Sequence, residues 1–416
     1  MLRLFLLIGA VLALAGVADA QPRLVRVVIV MRHGVRPPTQ PNAALAKFAA
    51  QPWPDWPVAP GELTPHGREG VRLMGATLRE RLIADRMLPS KGCAASGAVS
   101  VWADGADQRT RKTGEILAAA LEPGCALAAG SAPPAPRDPI FAGTDAGACK
   151  ADPAVGRAAL AASAVAVRAG KTRELEAATD RLQAILAPDA CHGGAGTCLK
   201  TQDQTPGASP VPFPPTAALA EDLYLEYVDD KPMSDVGWGR ASAADVDEVM
   251  RIHEIAFQTI WGDLYLDERR GAPMARLVLA ALAGEPVTGG PTAGPGLKVL
   301  ALAGHDSNLS WMGALFGLDW TLPEQPESTA PSTVLELELW EDHGQRYVRP
   351  VLFYETLDQM RTLRPGSARR LELRFKDCAS GPEASCPLQT LRERALAQLP
   401  PGCGDMPATL PPAAHP

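Results

Sequence analysis

Three short, mostly hydrophobic runs divide the chain, at residues 27–31, 99–103 and 299–303. Runs of this length that contain β-branched residues are typical of strands buried on both faces, as in a parallel sheet. Each run is followed by polar residues and then by a helical pattern. The pattern therefore predicts an α/β fold, with a mostly parallel sheet flanked by helices.

Two further patterns predict a helix and an antiparallel pair of strands. Thr64 and Pro65 offer an N-cap and a first helical residue, and apolar side chains recur at helical spacing across residues 71–82. Residues 334–340 alternate between apolar and polar, which indicates a strand with one face in water, at the edge of the sheet. Residues 347–354 are predicted to be its antiparallel partner.

The middle of the chain differs from its two ends. Ala, Leu and charged residues dominate there in helical patterns, at residues 155–187 and 244–266. A period near 3.6 residues favours helices over strands. We interpret this part as a smaller, mostly α-helical domain, residues 131–296, inserted into an α/β core formed by residues 21–130 and 297–416.

The start of the chain has the pattern of a secretory signal peptide. Arg3 supplies positive charge, residues 4–17 are almost wholly apolar, and Ala18 and Ala20 are small residues suited to cleavage after Ala20. The apolar run is too short to span a bilayer comfortably. We therefore predict that residues 1–20 are removed and that the mature protein is periplasmic or secreted.

Composition limits the partners that the protein attracts. The 416 residues carry a formal net charge of −7, and the sequence pI is about 5.6. Such a chain has no general attraction for nucleic acid or for an anionic membrane, so neither is predicted as a partner. An anionic small molecule needs a local group of cations instead. We predict a monomer that binds a small molecule of this kind.

Cationic and nucleophilic side chains follow the hydrophobic runs, where the predicted strands end. Arg32, His33 and Arg36 follow the first run, and His305 and Asp306 follow the third. The carboxyl ends of parallel strands meet at one edge of a sheet, so these side chains are expected to share a site. The planar fork of arginine matches phosphate oxygens, and an imidazole between two arginines is suited to nucleophilic attack on phosphorus.

The first of these motifs, Arg-His-Gly-Val-Arg-Pro at residues 32–37, resembles the signature of the histidine acid phosphatases. The dipeptide His305-Asp306, after another strand, is similar to the family's second signature. The resemblance covers most of the mature chain, and the branch that it indicates contains bacterial phytases and glucose-1-phosphatases. It implies a phosphomonoesterase with an α/β domain, a smaller α domain and a site between them.

The resemblance also implies roles for the residues of both motifs. His33 would attack phosphorus and form a phosphohistidine, and Asp306 would donate a proton to the leaving alcohol. Arginines would do the work of a metal ion, so neither a metal nor a cofactor is expected. Because Asp306 must be protonated, an acidic optimum is predicted. The residues expected to bind the phosphate and the substrate are Arg32, Arg36, Thr39, Gln40, Arg109, His305 and Ser307, with Arg111 as the alternative to Arg109.

Four positions bear on the choice of substrate. Glu221, Phe257 and Arg270 of the predicted helical domain are candidates for lining the cleft, and Arg270 either reaches distal phosphates or belongs to a solvated face. The family's phytases carry a lysine at the place of Gln40, and its absence here weakens the phytase interpretation. A phytase that hydrolyses inositol hexakisphosphate is therefore weighed against a glucose-1-phosphatase or a broad sugar-phosphate phosphatase.

Two other classes of protein are considered. A phosphomutase of the same clan would serve cytosolic metabolism, which the predicted signal peptide and disulfides disfavour. A non-catalytic phosphate-binding protein would keep the arginines but would have no need for Asp306. The intact His-Asp pair therefore favours an enzyme.

Eight cysteines follow the predicted signal peptide, and an even number in an exported chain favours disulfides over metal ligands. Proximity in sequence favours two local pairs, and a third pair flanks one strand–helix unit. The remaining two cysteines would join the middle of the chain to its end. The resemblance implies the same four pairs, Cys93–Cys125, Cys149–Cys403, Cys191–Cys198 and Cys378–Cys386.

Overall fold

The structure, a computed structural model, describes residues 21–199, 215–287 and 290–403, so the predicted signal peptide lies outside the described residues. The strands are β1 (Arg23–Arg32), β2 (Val99–Ala103), β3 (Ala129–Ser131), β4 (Val299–Gly304), β5 (Val334–Asp342), β6 (Gln345–Tyr354), β7 (Arg369–Glu372) and β8 (Cys386–Pro387). The helices are α1 (Asn42–Leu45), α2 (Pro65–Ala84), α3 (Gln108–Leu121), α4 (Pro153–Arg168), α5 (Thr172–Leu186), α6 (Pro215–Val228), α7 (Ala243–Trp261), α8 (Leu264–Ala283), α9 (Asp306–Phe316), α10 (Leu357–Thr362) and α11 (Leu388–Gln398).

The strands form one mixed sheet. Strands β3, β2, β4 and β1 lie side by side in that order and run parallel. Beyond β1 the sheet continues with β5, β6 and β7 in antiparallel pairs, and β8 pairs with β6. The α/β fold is confirmed, with parallel strands at the three hydrophobic runs. Because the register pairs Arg32 with Gly304, β1 and β4 end at the same level and the two sequence motifs begin next to each other.

The prediction that the alternating strand is an edge strand is wrong, because β5 lies between β1 and β6. Two of its glutamates are not in water: Glu336 is fully buried and Glu338 almost so. Arg81 of α2 forms ion pairs with both carboxylates, and its guanidinium lies over the ring of Phe353. The negative charge on the polar face of this strand is therefore compensated by the guanidinium of Arg81.

Helices cover both faces of the sheet. One face packs on α2 and α3 through side chains such as Ile29, Leu78 and Leu117, and the other packs on α8 and α9, for example through Val28 and Leu279. Helices α5, α6 and α7 contribute to a separate hydrophobic core. Helix α8 thus packs on the sheet although it falls within the predicted insertion, and the division of the chain into domains stays a prediction.

Two details of the helices bear on the sequence patterns. Thr64 caps α2, because its Oγ1 accepts from the backbone N–H of Gly67 at 2.8 Å. The helical pattern at residues 155–187 contains two helices, α4 and α5, and Gly170 between them adopts a φ of 75°. None of the helices in the described part of the chain is long and apolar enough to cross a membrane.

Four disulfides connect the eight cysteines in the pairs that the sequence predicts: Cys93–Cys125, Cys149–Cys403, Cys191–Cys198 and Cys378–Cys386. The longest of them closes a sequence separation of 254 residues, and the shortest closes a separation of 7.

Candidate active site

Two glycines allow helices to approach the strand ends closely. A Cβ atom on Gly34 would lie 2.5 Å from the carbonyl oxygen of Gly67, in the first turn of α2. A Cβ atom on Gly304 would collide with the side chain of Asn308, in the first turn of α9. Only glycine permits such close contact at these positions. The first turns of α2 and α9 are therefore held directly against the two sequence motifs.

The imidazole of His33 is buried and neutral. Its Nδ1 lies 2.8 Å from the carbonyl oxygen of Gly34, and since a carbonyl only accepts, Nδ1 carries the proton. Burial lowers the pKa of His33 well below its ordinary value, and the charges of Arg109 and Arg32 lower it further. In the neutral ring Nε2 keeps its lone pair, which is the state that a nucleophile requires.

Arg32 is fully buried and held on several sides. Its Nη1 donates to the carboxylate of Glu327 and, at 2.6 Å, to the carbonyl oxygen of Thr329. Its Nη2 lies 3.2 Å from Oδ2 of Asp306 and 3.4 Å from Oε1 of Glu221. These contacts fix the guanidinium plane beside Asp306, so the position of this cation does not depend on the substrate.

Arg36 and Arg109 add two more positive charges. Nη2 of Arg36 donates to Oε1 of Glu221 at 2.9 Å. Nη1 of Arg109 lies 3.1 Å from Oδ1 of Asp107 and 3.3 Å from the carbonyl oxygen of Gly61. Burial lowers the pKa of Arg109, and the nearby charge of Arg36 lowers it further. Cations held this close together are best compensated by a strongly anionic ligand.

His305 is oriented by two carboxylates. Its Nε2 lies 2.9 Å from Oδ2 of Asp104 and 3.5 Å from Oδ2 of Asp107. Burial acts to raise the pKa of Asp104, but the hydrogen bond and the charge of His305 outweigh it and hold that pKa below its ordinary value. Sequence reasoning missed Asp104, although a carboxylate directly after a predicted strand was a usable signal. The ring of His305 lies edge-on to that of His33, with 5.6 Å between centroids.

Asp306 is the first residue of α9. Its Oδ1 accepts from the backbone N–H of Ser307 at 2.6 Å. Burial acts to raise its pKa, but the charges of Arg32, His305 and Arg36 outweigh it and hold the pKa below its ordinary value. Any negative charge that neutralises these cations will therefore favour the protonated form of Asp306.

A cavity of about 520 Å³ is bounded by residues of both motifs and of the predicted helical domain. Among the described residues its lining contains four arginines and three aspartates, which gives a net excess of positive charge for an anion. Part of the lining was not predicted, because Arg137, Thr144, Asp145, Trp261 and Trp311 lie in loops and helices without a motif. The full lining is His33, Arg36, Asp107, Arg109, Arg137, Phe141, Ala142, Thr144, Asp145, Trp261, Arg270, His305, Asp306, Ser307 and Trp311.

Some candidates from the sequence lie away from the cavity lining that the described residues form. Thr39 and Gln40 are exposed on the loop after the first motif and do not line it. Phe257 is buried behind it, and its ring stacks on that of His253 with 6.1 Å between centroids. Arg111 donates to a carbonyl oxygen of its own loop and is not part of the lining.

Arg270 does line the cavity, and Glu221 contacts the two arginines of the first motif. The guanidinium of Arg270 lies over the ring of Trp261, with 4.6 Å from Cζ to the centroid. Burial lowers the pKa of Arg270. Glu221 is the shared acceptor of Arg32 and Arg36. Both residues are therefore placed to influence an anion bound at the first motif.

Two clusters at the site have the donor atoms of metal ligands. Within each cluster the three donors lie within 4.8 Å of one another. Each cluster adjoins an arginine, Arg137 in one case and Arg32 in the other. The donor sets therefore already have guanidinium partners for their charge. The clusters are Asp104, Asp107 and His305, and Glu221, His253 and Glu327.

Comparison with known proteins places these features in a family. The model of the histidine phosphatase superfamily (branch 2) matches residues 23–352. Phytase AppA of Escherichia coli (strain K12) is 32% identical over 378 residues, covering 84% of this chain and 85% of that protein. A glucose-1-phosphatase of Salmonella typhimurium (strain LT2) is 25% identical over 410 residues, covering 91% of this chain and 94% of that protein.

Solved phytases have the same fold. The structure of Hafnia alvei phytase in complex with tartrate matches with a TM-score of 0.82 and 30% identity, over 93% of this chain and 99% of that one. The same phytase in complex with myo-inositol hexakis sulphate matches with a TM-score of 0.81, at the same identity and over the same shares of the two chains. Such relatives indicate a phosphomonoesterase hydrolase. With the family model matched over residues 23–352 and 32% identity to the Escherichia coli phytase, the chain belongs to the histidine phosphatase superfamily (branch 2).

Proposed function

We propose that this phosphomonoesterase hydrolyses inositol phosphates at acidic pH through a phosphohistidine formed on His33. The observation that carries the proposal is the state of that imidazole. Its Nδ1 is bound to the carbonyl oxygen of Gly34, so Nε2 is the nitrogen with the lone pair. Buried surroundings and neighbouring arginines keep the ring neutral, and Asp306 lies at the same edge of the sheet as a proton donor.

The reaction proceeds in two displacements at phosphorus. Nε2 of His33 attacks, the bond between phosphorus and the ester oxygen breaks, and Asp306 gives its proton to the departing oxygen. A water molecule then attacks the phosphohistidine, the phosphorus–nitrogen bond breaks, and the Asp306 carboxylate accepts a proton from that water. The products are an alcohol and inorganic phosphate, with both residues restored.

Four side chains bind the phosphate oxygens: Arg32, Arg36, Arg109 and His305. Phosphoryl transfer depends mainly on positioning the phosphoryl group and on stabilising its negative charge, so positive charge around the phosphate oxygens is the main requirement. Nε2 of His305 donates to Oδ2 of Asp104, which fixes the orientation of the imidazole ring. Asp104 is therefore a positioning residue.

Binding of the substrate changes the pKa of Asp306, the proposed acid. Arg32, His305 and Arg36 favour the ionised form of Asp306. A bound phosphate brings negative charge to the same cations, so the pKa of Asp306 rises in the complex. The proton is thus available when there is a leaving group to receive it, and acidic solution favours that state further.

Relatives and charge both support inositol phosphates as substrates. The Escherichia coli relative is a phytase, and the Hafnia alvei phytase was solved in complex with myo-inositol hexakis sulphate. The four arginines in the lining of this cavity suit a substrate with several phosphates. Glucose 1-phosphate is the second candidate, because 25% identity over 410 residues connects the chain to a glucose-1-phosphatase and Gln40 is an uncharged residue near the first motif.

The test is phosphate release from phytate and from glucose 1-phosphate at acidic pH in the presence of EDTA. We expect release to persist in EDTA, to be absent in His33→Ala, and to show the higher kcat/KM with phytate. A higher kcat/KM with glucose 1-phosphate would select the second candidate. Equal release by the wild type and His33→Ala would contradict the role of His33.

The role of Asp306 has its own test. Asp306→Asn is expected to slow phytate hydrolysis far more than hydrolysis of para-nitrophenyl phosphate, whose leaving group needs little protonation. Asp145→Asn removes another carboxylate from the lining of the cavity and is the matched control. Equal losses with both substrates would argue against proton donation, and a wild type that binds phosphate but turns over no ester would indicate a binding function.

We also propose that the protein works in the periplasm or outside the cell. The pattern of residues 1–20 and four disulfides support an exported protein. Cell fractionation with mass determination of the mature N-terminus tests this, and recovery of the uncleaved chain from the cytoplasm would contradict it.

A further inference from the structure

We propose that Arg137 binds a phosphate group of the substrate other than the one being hydrolysed, and that it thereby favours inositol polyphosphates over monophosphates. The inference rests on the proposed function, because it requires a phosphate ester bound at His33. Arg137 lies in the loop between β3 and α4 and lines the cavity. Its loop comes from the chain segment between the two motifs, so its position is independent of both strand ends.

Arg137 is the most accessible of the four arginines in the lining of the cavity. Its side chain is 40% exposed, compared with 10% for Arg36, 16% for Arg109 and 19% for Arg270. The phosphate under attack must reach His33, which is only 2% exposed. The other phosphates of the same molecule then lie nearer to solvent, where Arg137 is the arginine most open to them.

The guanidinium of Arg137 retains donors for a ligand. Nη2 lies 3.5 Å from Oδ2 of Asp104, which is the outer limit of a hydrogen bond. Nε is buried and has no hydrogen-bond partner among the described residues, which is also true of Nε in Arg36 and Arg109. The difference lies in the Nη atoms, because those of Arg36 and Arg109 hold carboxylate oxygens at 2.9 and 3.1 Å. A phosphate offers the strong acceptors that the remaining N–H groups of Arg137 lack.

Arg137 also contacts Asp104, and the effect of that contact must be distinguished from the effect of binding a second phosphate. The Asp104 oxygen nearest to Arg137 is also the acceptor for Nε2 of His305. Loss of Arg137 can therefore act on the reaction centre through Asp104. The two effects differ in their substrate dependence, because a change at His305 affects every phosphomonoester, whereas a contact with a second phosphate affects only substrates that have one.

The experiment compares kcat/KM for phytate and for para-nitrophenyl phosphate in the wild type, Arg137→Ala and Arg137→Lys. One hydrogen bond to a charged group corresponds to about a tenfold change, so the phytate preference should fall about tenfold in Arg137→Ala. Arg137→Lys keeps the charge but not the fork and should retain part of the preference. Arg173→Ala, an exposed position of α5 outside the lining of the cavity, makes the same change in net charge and is the control.

Three outcomes would overturn the proposal. Equal losses for both substrates would assign Arg137 to the Asp104–His305 pair instead. An unchanged preference for phytate in Arg137→Ala, or the same fall in preference in Arg173→Ala, would exclude a specific contact between Arg137 and a second phosphate. A wild type that hydrolyses neither substrate would overturn the proposed function as well, so the two failures are distinguishable. Thermal unfolding of each variant identifies losses that come from the fold, and Arg137→Lys provides the comparison if Arg137→Ala is unstable.

Discussion

Asp104→Asn removes one negative charge beside His305 and preserves the shape of the side chain. The amide oxygen can still accept from the backbone N–H of Ala106, as Oδ1 of Asp104 does at 3.0 Å. What is lost is the charge that receives Nε2 of His305 at 2.9 Å, inside a site where Asp104 has no exposed surface. The variant therefore removes both the charge and the acceptor of this contact, because the amide NH2 group takes the place of Oδ2.

The expected loss follows from the type of hydrogen bond. A hydrogen bond to a charged group contributes about 1.5–3 kcal/mol, which corresponds to a change of about 10- to 150-fold. We expect kcat/KM of Asp104→Asn to fall within this range for phytate and for para-nitrophenyl phosphate alike, because the proposed contact of His305 is with the phosphate group under attack, which both substrates have. The inhibition constant of inorganic phosphate should rise in parallel.

Asp107→Asn is the matched comparison. Its Oδ2 is 3.5 Å from Nε2 of His305, and its side chain is 29% exposed, so solvent screens the interaction. The assay consists of initial rates and phosphate inhibition at acidic pH, with thermal unfolding as the control for the fold. Because Asp107 also contacts Nη1 of Arg109, Asp145→Asn is the reference for the outcome: if Asp104→Asn loses no more activity than Asp145→Asn, or loses activity only in proportion to its stability, the reasoning about His305 is refuted.

Two further predictions concern acidity and covalent cross-links. In the pH profiles, the alkaline limb of kcat should lie at higher pH than the alkaline limb of kcat/KM. The profile of kcat/KM reports the lowered pKa of Asp306 in the free enzyme, whereas the bound phosphate group raises that pKa in the complex. Alkaline limbs at the same pH would contradict this prediction. Replacing Cys149 and Cys403 by serine should lower the free energy of unfolding by about 3 kcal/mol more than replacing Cys191 and Cys198, since the loops span 254 and 7 residues. Urea unfolding of the two double variants measures the difference, and equal losses would exclude the loop-entropy explanation.

The parallel part of the sheet and the two motifs could be predicted because each depends on local sequence. An apolar run that ends in Arg32 or His305 specifies both a buried strand and a polar strand end. The N-cap at Thr64 is equally local, because its side chain accepts from the backbone N–H of Gly67, only three residues further along the chain. Such features need no knowledge of what lies across the molecule.

The missed features depend on partners that are distant in sequence. Glu336 alternates with apolar residues as in a solvated strand, and only Arg81, 255 residues away, makes its burial possible. Arg137 lines the cavity because its loop packs beside β2, a placement that no pattern in the loop itself encodes. Asp104 becomes important only when His305 is placed next to it. A single sequence without such contacts leaves Glu336 and Arg137 indistinguishable from ordinary polar positions, whereas Asp104 has only the weak signal of its place after a strand.

The position of β4 in the sheet has a consequence for synthesis of the protein. β4 lies between β2 and β1, although about 200 residues of chain separate it from β2. A growing chain thus carries His33 from the beginning, but the middle of its sheet is incomplete until residues 299–304 have been made. His305 and Asp306 follow immediately, so the central strand and these two residues are made together, before Glu327 and Thr329, which hold Arg32. Under the proposed mechanism, a chain that stops short of this point has no proton donor, and catalytic turnover would therefore report that the chain has been made at least to Asp306 and has folded.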